Sequence, residues 1–192
     1  MAGLEVATGL FAGCPITDGS ELCAESRSAL HGALASISGD RSGVSDPIHQ
    51  CMGEDLEVEV RLSREADDWV LNFAGSSGAS PGFVNATAEA SHAAAVSAVA
   101  SALGLPGLPN AGLVEGFRSE FPEDCFLNAK LPLSVGWSVY GPAPAIDQAV
   151  RRALDAEPVS RRPVEIALQV AGCGRSGCPF PISPRRMEES RA

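Results

Sequence analysis

A strand, a loop of small residues and a helix start follow one another between Trp69 and Asn85, and this succession constrains the fold most. Trp69, Leu71 and Phe73 alternate with their neighbours, which predicts a strand with one apolar face. Small residues fill 74–82, where the glycines let the backbone turn sharply or pass close to another group. The chain therefore leaves a sheet and begins a helix within a single loop.

Three segments have the composition or the spacing of helices. The first and third carry apolar side chains that recur every three to four residues, and the second consists largely of alanine, serine and valine. Asn85 or Thr87 is expected to cap the second helix. The third is expected to turn Arg151, Arg152 and Asp155 toward solvent. The predicted helices span 24–37, 86–103 and 144–157.

Apolar and charged residues alternate at 56–62, which predicts a half-buried strand that forms a hairpin with the strand at 69–73. We therefore expect an α+β fold, in which an antiparallel or mixed sheet is covered by a few helices in a single domain. The remaining predictions are strands at 131–133, 135–139 and 164–170, and irregular loops at 39–54 and 117–126.

Composition excludes several classes of protein. The 192-residue chain has 14 basic and 24 acidic side chains and a net charge of −10, which argues against nucleic acid as a partner. No window holds 18 consecutive apolar residues, so no membrane span is expected. The N-terminus carries no basic residue before Glu5, which argues against a secretory signal. The six cysteines do not suggest a disulfide framework at this length and are expected to be free thiols. These features predict a cytoplasmic protein.

The loop after the first predicted hairpin is the main candidate for binding. Gly75 is expected to need a backbone angle that a β-carbon would oppose. Ser76 and Ser77 can donate hydroxyl groups, and free N–H groups near Asn85 can attract an anion or a carbonyl group. Asn110 completes the candidate ligand-binding residues. The alternative interpretation is a tight connection that binds nothing.

Thiols and histidines provide a weaker hypothesis. Four residues separate Cys173 from Cys178, and His49 lies two residues from Cys51. Cys173 and Cys178 could form half of a zinc site, with His49 and Cys51 as the other half, although neither pair has a third ligand nearby in the sequence. The alternatives are two idle thiols and a surface loop. His92 has no acidic or cysteine partner four residues away, so a structural or surface role is expected.

Several short motifs occur in a recognisable order, namely Leu71–Ser77, Gly82–Asn85, Pro109–Gly112, Pro122-Glu123 and Leu127–Ala129. With these motifs the chain resembles, from 26 to 157, part of the hydantoinase B family. That family includes the corresponding half of 5-oxoprolinase and a large subunit of acetone and acetophenone carboxylases. On this resemblance we expect an extension at 1–25, a hydantoinase B-like domain at 26–170 and a flexible tail at 171–192.

The resemblance implies ATP-dependent hydrolysis of cyclic amides or carboxylation of ketones, beside an ATP-binding partner subunit. The family's metal-binding region has no counterpart here, its usual acidic residue before Phe73 is Asn72, and no catalytic residue carries over. We therefore expect a small subunit or accessory protein of such a complex. ATP and a divalent metal would belong to the partner, and no cofactor to this chain.

The expected partner is a larger hydantoinase A-like or B-like subunit, or further copies of the chain. Two alternatives to this function remain open. The first is a non-catalytic structural or regulatory partner that kept the family scaffold. The second is a small zinc-binding protein.

Overall fold

The computed structural model describes residues 19–50, 53–66, 68–105 and 109–157. Within these ranges the chain forms four helices and a four-stranded sheet, which confirms the predicted α+β fold. The predicted strand at 164–170 and the predicted tail lie outside the described residues. The elements are α1 (Gly19–Leu34), β1 (Arg41–Val44), β2 (Glu59–Glu65), β3 (Asp68–Asn72), α2 (Ala88–Ala102), α3 (Ala111–Val114), β4 (Arg118–Glu120) and α4 (Pro142–Ala153).

The predicted hairpin forms the centre of the sheet. β2 and β3 pair antiparallel with Leu62 opposite Leu71, and the turn between them passes through Ala66 at a φ of 54°. β1 adds to the free edge of β2 in antiparallel fashion, and β4 adds to β3 in parallel. Because side chains alternate along a strand, Val60 and Leu62 face inward while Glu59 and Arg61 lie on the outer face.

The inner face of the sheet is covered by helices. α4 packs against β1, β2 and α2, and α1 packs against α3. The small side chains of α2 allow close packing, and Ala95, Ala98 and Val99 are almost completely buried there. Large side chains that are almost completely buried come from strands, helices and loops alike, and they include Phe73, Phe126, Leu30, Leu34, Leu71 and Ile146.

Two short strands lie where irregular loops were expected, so those predictions are wrong. β1 lies in the predicted loop at 39–54, and its glycine has a packing role. A β-carbon on Gly43 would overlap the carbonyl oxygen of Ala149 and lie 2.6 Å from the backbone nitrogen of Ala153. The glycine lets α4 approach the strand closely. β4 lies within 117–126 and pairs with β3 over only three residues.

The prediction of strands at 131–133 and 135–139 is also wrong, because this segment is a series of turns. The backbone N–H of Trp137 donates to Phe83 O at 3.1 Å, and that of Tyr140 donates to Trp137 O at 3.0 Å. The ring centroids of Trp137 and Phe83 are 5.3 Å apart. The apolar residues here pack locally against one another instead of forming a ladder.

Arg151 is buried, which corrects the prediction that it faces solvent. Only 6% of the residue is exposed. Its guanidinium donates to Asp147 Oδ2 at 3.1 Å, to Ser101 Oγ at 2.6 Å and to Glu157 O at 3.3 Å. A long side chain with five donors can thus join the end of α2 to α4, which helical periodicity alone does not reveal.

Replacing Arg151 with Met should lower the free energy of unfolding by about 3–5 kcal/mol, because it leaves Asp147 as an unpaired, largely buried charge. Urea denaturation measures this loss. The matched change Arg152→Met removes an exposed ion pair and should cost about 1 kcal/mol or less. Equal losses in the two variants would contradict the structural role of Arg151.

Asp46, which follows β1, connects that strand to the outer side of α4. Its carboxylate accepts from Arg152 at 2.8 Å and from Gln148 at 2.6 Å. The bond from Arg152 is the main reason that the pKa of Asp46 lies below its ordinary value of 3.8, and the bond from Gln148 acts in the same direction. The folded chain therefore favours the ionised carboxylate.

The stability that Asp46 contributes should depend on pH. A lowered pKa in the folded state stabilises the fold above pH 3.8, and this contribution is lost as the pH falls through the folded-state pKa. Asp46→Asn should therefore cost up to about 1 kcal/mol at pH 7 and almost nothing well below pH 3.8. Thermal melting across this range checks it, with Glu25→Gln on α1 as the control. A pH-independent difference would refute the assignment.

Candidate functional site

The two serines of the loop after β3 bind the backbone of the segment that leads into β2. Ser76 Oγ accepts from Glu59 N at 3.1 Å and donates to Glu59 O at 3.0 Å. Ser77 Oγ accepts from Glu57 N at 2.9 Å, and the backbone N–H of Ser77 donates to Glu57 O at 3.0 Å. The hydroxyls thus continue the pairing of β2 beyond the end of β3.

Most backbone N–H groups of this loop also have acceptors within the chain. Ala74 N donates to Asn72 Oδ1 and Ala79 N to Asp124 O, both at 2.8 Å. Gly82 N donates to the hydroxyl of Ser80 at 3.0 Å. A phosphate-binding loop needs several N–H groups that point at the ligand. In this conformation the loop offers no such cradle.

Gly75 is constrained by a side chain and not by its backbone angle, which corrects the prediction made for it. Its φ lies outside the left-handed region. A β-carbon there would overlap the carboxylate of Glu59 and lie 3.0 Å from Glu59 Cβ. The end of a glutamate side chain can swing away, so a methyl group at this position costs less than one that meets backbone.

Asn85 is completely buried and holds two loops together. Its side-chain nitrogen donates to the carbonyl oxygens of Ser80 and Gly82 at 3.0 Å and of Ser134 at 2.9 Å. Its side-chain oxygen accepts from Ser80 N at 2.8 Å. Every polar atom of the amide therefore has a partner inside the protein, and Asn85 does not cap α2.

Thr87 is the residue that caps α2. Its hydroxyl oxygen accepts from Ala90 N at 3.2 Å. The carboxylate of Glu89 lies in the first turn, and its pKa is lowered by its own backbone N–H and then by the hydroxyl of Thr87. The positive end of the helix dipole thus already has an acidic side chain of the chain beside it.

Asn110 lies at a different place in the fold. Its side-chain oxygen accepts from Leu113 N at 3.3 Å and so caps α3. Its side-chain nitrogen donates to Ser26 Oγ on α1 at 2.7 Å. The structure thus groups Gly75, Ser76 and Ser77 along β2, whereas Asn110 belongs to the contact between α1 and α3. The ligand-binding role proposed for these residues stays a prediction.

An open depression of about 570 Å³ lies on the outer face of the sheet beside this loop. Acidic and basic side chains line it, including Glu59 and Arg61 of β2, together with Asn72, Ala74 and Gly75. Arg61 pairs with Asp40 at 2.5 Å across its rim. Sequence reasoning missed this surface, because it forms only when the outer face of β2 and the loop after β3 come together.

Metal-ligand types do not converge in the part of the chain that the structure describes. No group of three or more His, Cys, Asp or Glu side chains there could hold a metal ion. His49 pairs with Asp55 at 2.7 Å. Cys51, Cys173 and Cys178 lie outside the described residues, so the zinc hypothesis stays a prediction.

His92 and the buried thiol of Cys125 both have structural surroundings. His92 contacts Ser119 Oγ at 2.8 Å and Val114 O at 3.0 Å, which ties α2 to the segment around α3 and β4. Cys125 is buried, and burial raises the pKa of its thiol, which makes it a poor nucleophile.

Substitutions in the loop should separate side-chain contacts from backbone packing. Ser77→Ala loses the bond to Glu57 N and should lower the free energy of unfolding by about 0.5–1.5 kcal/mol. Gly75→Ala should cost a similar amount, since the Glu59 carboxylate can move. Gly43→Ala is the control, because its methyl group meets the backbone of α4 and should cost about 1–3 kcal/mol or more. A Gly75→Ala loss larger than that of Gly43→Ala would contradict this view.

Among the described residues, no helix combines the length and apolar content of a membrane span.

Comparisons with known proteins bear on the fold and the family. The comparison with curated proteins gave no match. Among solved structures the chain is similar to an ATP-dependent caprolactamase from Pseudomonas jessenii, with a TM-score of 0.62 and 20% sequence identity.

That similarity covers 82% of this chain and 28% of the caprolactamase chain, so the protein spans less than a third of the relative. At this identity the likeness concerns the fold alone. The family model for hydantoinase B/oxoprolinase matches residues 19–169, which confirms the resemblance inferred from the order of the motifs. Since the match includes more than half of the sequence, the chain belongs to the hydantoinase B/oxoprolinase family.

Proposed function

We propose that the protein is a small hydantoinase B-like subunit or accessory protein of a complex that opens a cyclic amide or carboxylates a small substrate. The observation that carries this proposal is the family match over 19–169, in a chain that spans only 28% of the caprolactamase it resembles. The caprolactamase is named as ATP-dependent, and ATP-driven opening of a cyclic amide is the reaction class that we extend to the complex.

ATP and a divalent metal would be bound by the partner subunit. The described residues do not fit a metal, because no three ligand side chains converge among them. The loop at 74–82 does not fit a nucleotide phosphate, because most of its N–H groups donate within the chain. We therefore assign no catalytic step to a residue of this chain. The partner would be a larger hydantoinase A-like or B-like subunit, in the cytoplasm.

A second candidate is a non-catalytic structural or regulatory partner that kept the family scaffold. The specific observation in its favour is that the hydroxyls of Ser76 and Ser77 and the amide of Asn85 all bond within the chain. In this role the three residues maintain the shape of the outer surface beside β2, and the partner would bind to that surface. Assembly from further copies of the chain is the remaining form of this candidate.

The isolated chain should release no phosphate from ATP in the presence of hydantoin, 5-oxoproline or caprolactam, because no metal site is formed by its described residues. Co-purification of the tagged chain from its native host should recover a larger hydantoinase A-like or B-like subunit, and that complex should release phosphate with a cyclic amide. Phosphate release is measured by a coupled assay, and partner identity by mass spectrometry.

Ser77→Ala in the reconstituted complex distinguishes the two candidates. Loss of activity at an unchanged melting temperature would support a direct role of the loop in the reaction. Wild-type activity would leave the loop as a connector and favour the non-catalytic role. Steady, substrate-dependent phosphate release from the isolated chain, or a monomer that recovers no partner, would contradict the proposal of a subunit.

A further inference from the structure

A cluster of exposed apolar side chains around the half-buried Trp137 lies at the start of α4, and we call Phe83, Trp137, Val139 and Tyr140 the aromatic patch. The ring centroids of Phe83 and Trp137 are 5.3 Å apart, and those of Trp137 and Tyr140 are 5.4 Å apart. Phe83 is 42% exposed, Tyr140 58% and Val139 69%. Exposed aromatic side chains that pack side by side are typical of binding surfaces.

The patch is held in place by the backbone beneath it. Trp137 N donates to Phe83 O at 3.1 Å, and the buried amide of Asn85 donates to Ser134 O at 2.9 Å. Gly141 lies against Val84, where a β-carbon would be 2.8 Å from Val84 Cγ1. The aromatic rings thus form a surface whose shape does not depend on a ligand.

Carboxylates occur in two segments that contact the loop leading to Phe83. Glu54 and Asp55 are exposed in the first segment, whose Gly53 packs against Pro81, two residues before Phe83. Asp124 belongs to the second, and its backbone oxygen accepts from Ala79 N at 2.8 Å.

A depression of about 270 Å³ lies beside the second segment. Glu123 and Asp124 line it together with the segment at 128–133, and Lys130 is the basic side chain among its lining residues. In the first segment His49 pairs with Asp55. Aromatic rings with acidic segments nearby suit a proline-rich peptide that carries arginine.

The sequence of this chain contains such a peptide, at 179–186, with the sequence PFPISPRR. Pro181 and Pro184 are separated by two residues, and Arg185 and Arg186 follow directly. These residues lie outside the described ranges. We propose that the segment at 179–186 docks on the aromatic patch of the same chain, with its prolines against the rings and its arginines toward the carboxylates.

Three physical arguments favour this occupant. Proline-rich segments favour an extended helix before they bind, so docking on aromatic rings costs little conformational entropy. Residues 158–192 contain six arginines and three glutamates, whereas the whole chain has a net charge of −10, so this part attracts the remainder.

The third argument is reach. α4 rises about 18 Å between its ends, and even an unstructured chain of the 21 residues at 158–178 spans about 25 Å on average. The segment can therefore reach the patch, and attachment to the same chain gives it an effective concentration of about millimolar. The inference does not depend on the proposed function.

Trp137 provides a direct test, because the chain has two tryptophans and the other, Trp69, is 5% exposed in the core. Acrylamide quenching of fluorescence is compared between the 192-residue chain and a chain that ends at Cys178. Deletion should raise the quenching constant of Trp137 at least about twofold, since a millimolar effective concentration keeps the patch covered in most molecules. The synthetic peptide 177–188 at about 1 mM should reverse the increase.

Matched variants make the result specific. Pro181→Ser with Pro184→Ser should reproduce the deletion, whereas Pro163→Ser, at a proline that likewise adjoins two arginines, should not. Trp137→Phe should abolish the difference between long and short chains. Circular dichroism melting confirms that each variant remains folded.

Three outcomes would overturn the inference. The first is equal quenching of Trp137 with and without 179–192. The second is reversal by a scrambled peptide as effective as 177–188. The third is a deletion effect that grows with protein concentration and is accompanied by a doubled mass in light scattering, since the segment would then dock on another copy.

Discussion

The buried amide of Asn85 joins the two irregular parts of the protein. Its four hydrogen bonds connect the loop at 80–82, the start of α2 and the segment that ends at the aromatic patch. A buried amide without these partners would cost about 1–3 kcal/mol, so its surroundings cannot change independently. The loop beside β2 and the patch at the start of α4 therefore share one support, although they lie on different surfaces of the domain.

The parts of the fold that were predicted from sequence are those with a clear period. The hairpin of β2 and β3 and the helices α1, α2 and α4 were predicted within a few residues of their observed bounds. The segments that were missed contain glycine or apolar residues whose role depends on tertiary contacts. β1 was assigned to a loop because Gly43 is needed for the approach of α4, and the apolar residues at 135–139 serve a local aromatic cluster.

The candidate site could be predicted only in part, for a physical reason. Glycine and serine between a strand and a helix are typical both of ligand loops and of tight connections, and only the contacts distinguish them. Ser76 and Ser77 bond the backbone of Glu57 and Glu59, which lie far away in sequence. The outer depression likewise combines β2 with the loop after β3. The family, in contrast, was recognisable because the order of its motifs is a property of the sequence itself.

The parallel pairing of β4 with β3 has a consequence for the order of folding. β3 ends at Asn72 and β4 begins at Arg118, so their pairing closes a long loop that contains α2 and α3. Long-range parallel contacts incur their loop-closure entropy before they stabilise the chain, which makes them late in folding. β4 is thus expected to be the last strand to join the sheet. In native-state hydrogen exchange the amides that bond the β3 segment to β4, including the Phe73 N–H that donates to Glu120 O, should open before those shared by β2 and β3.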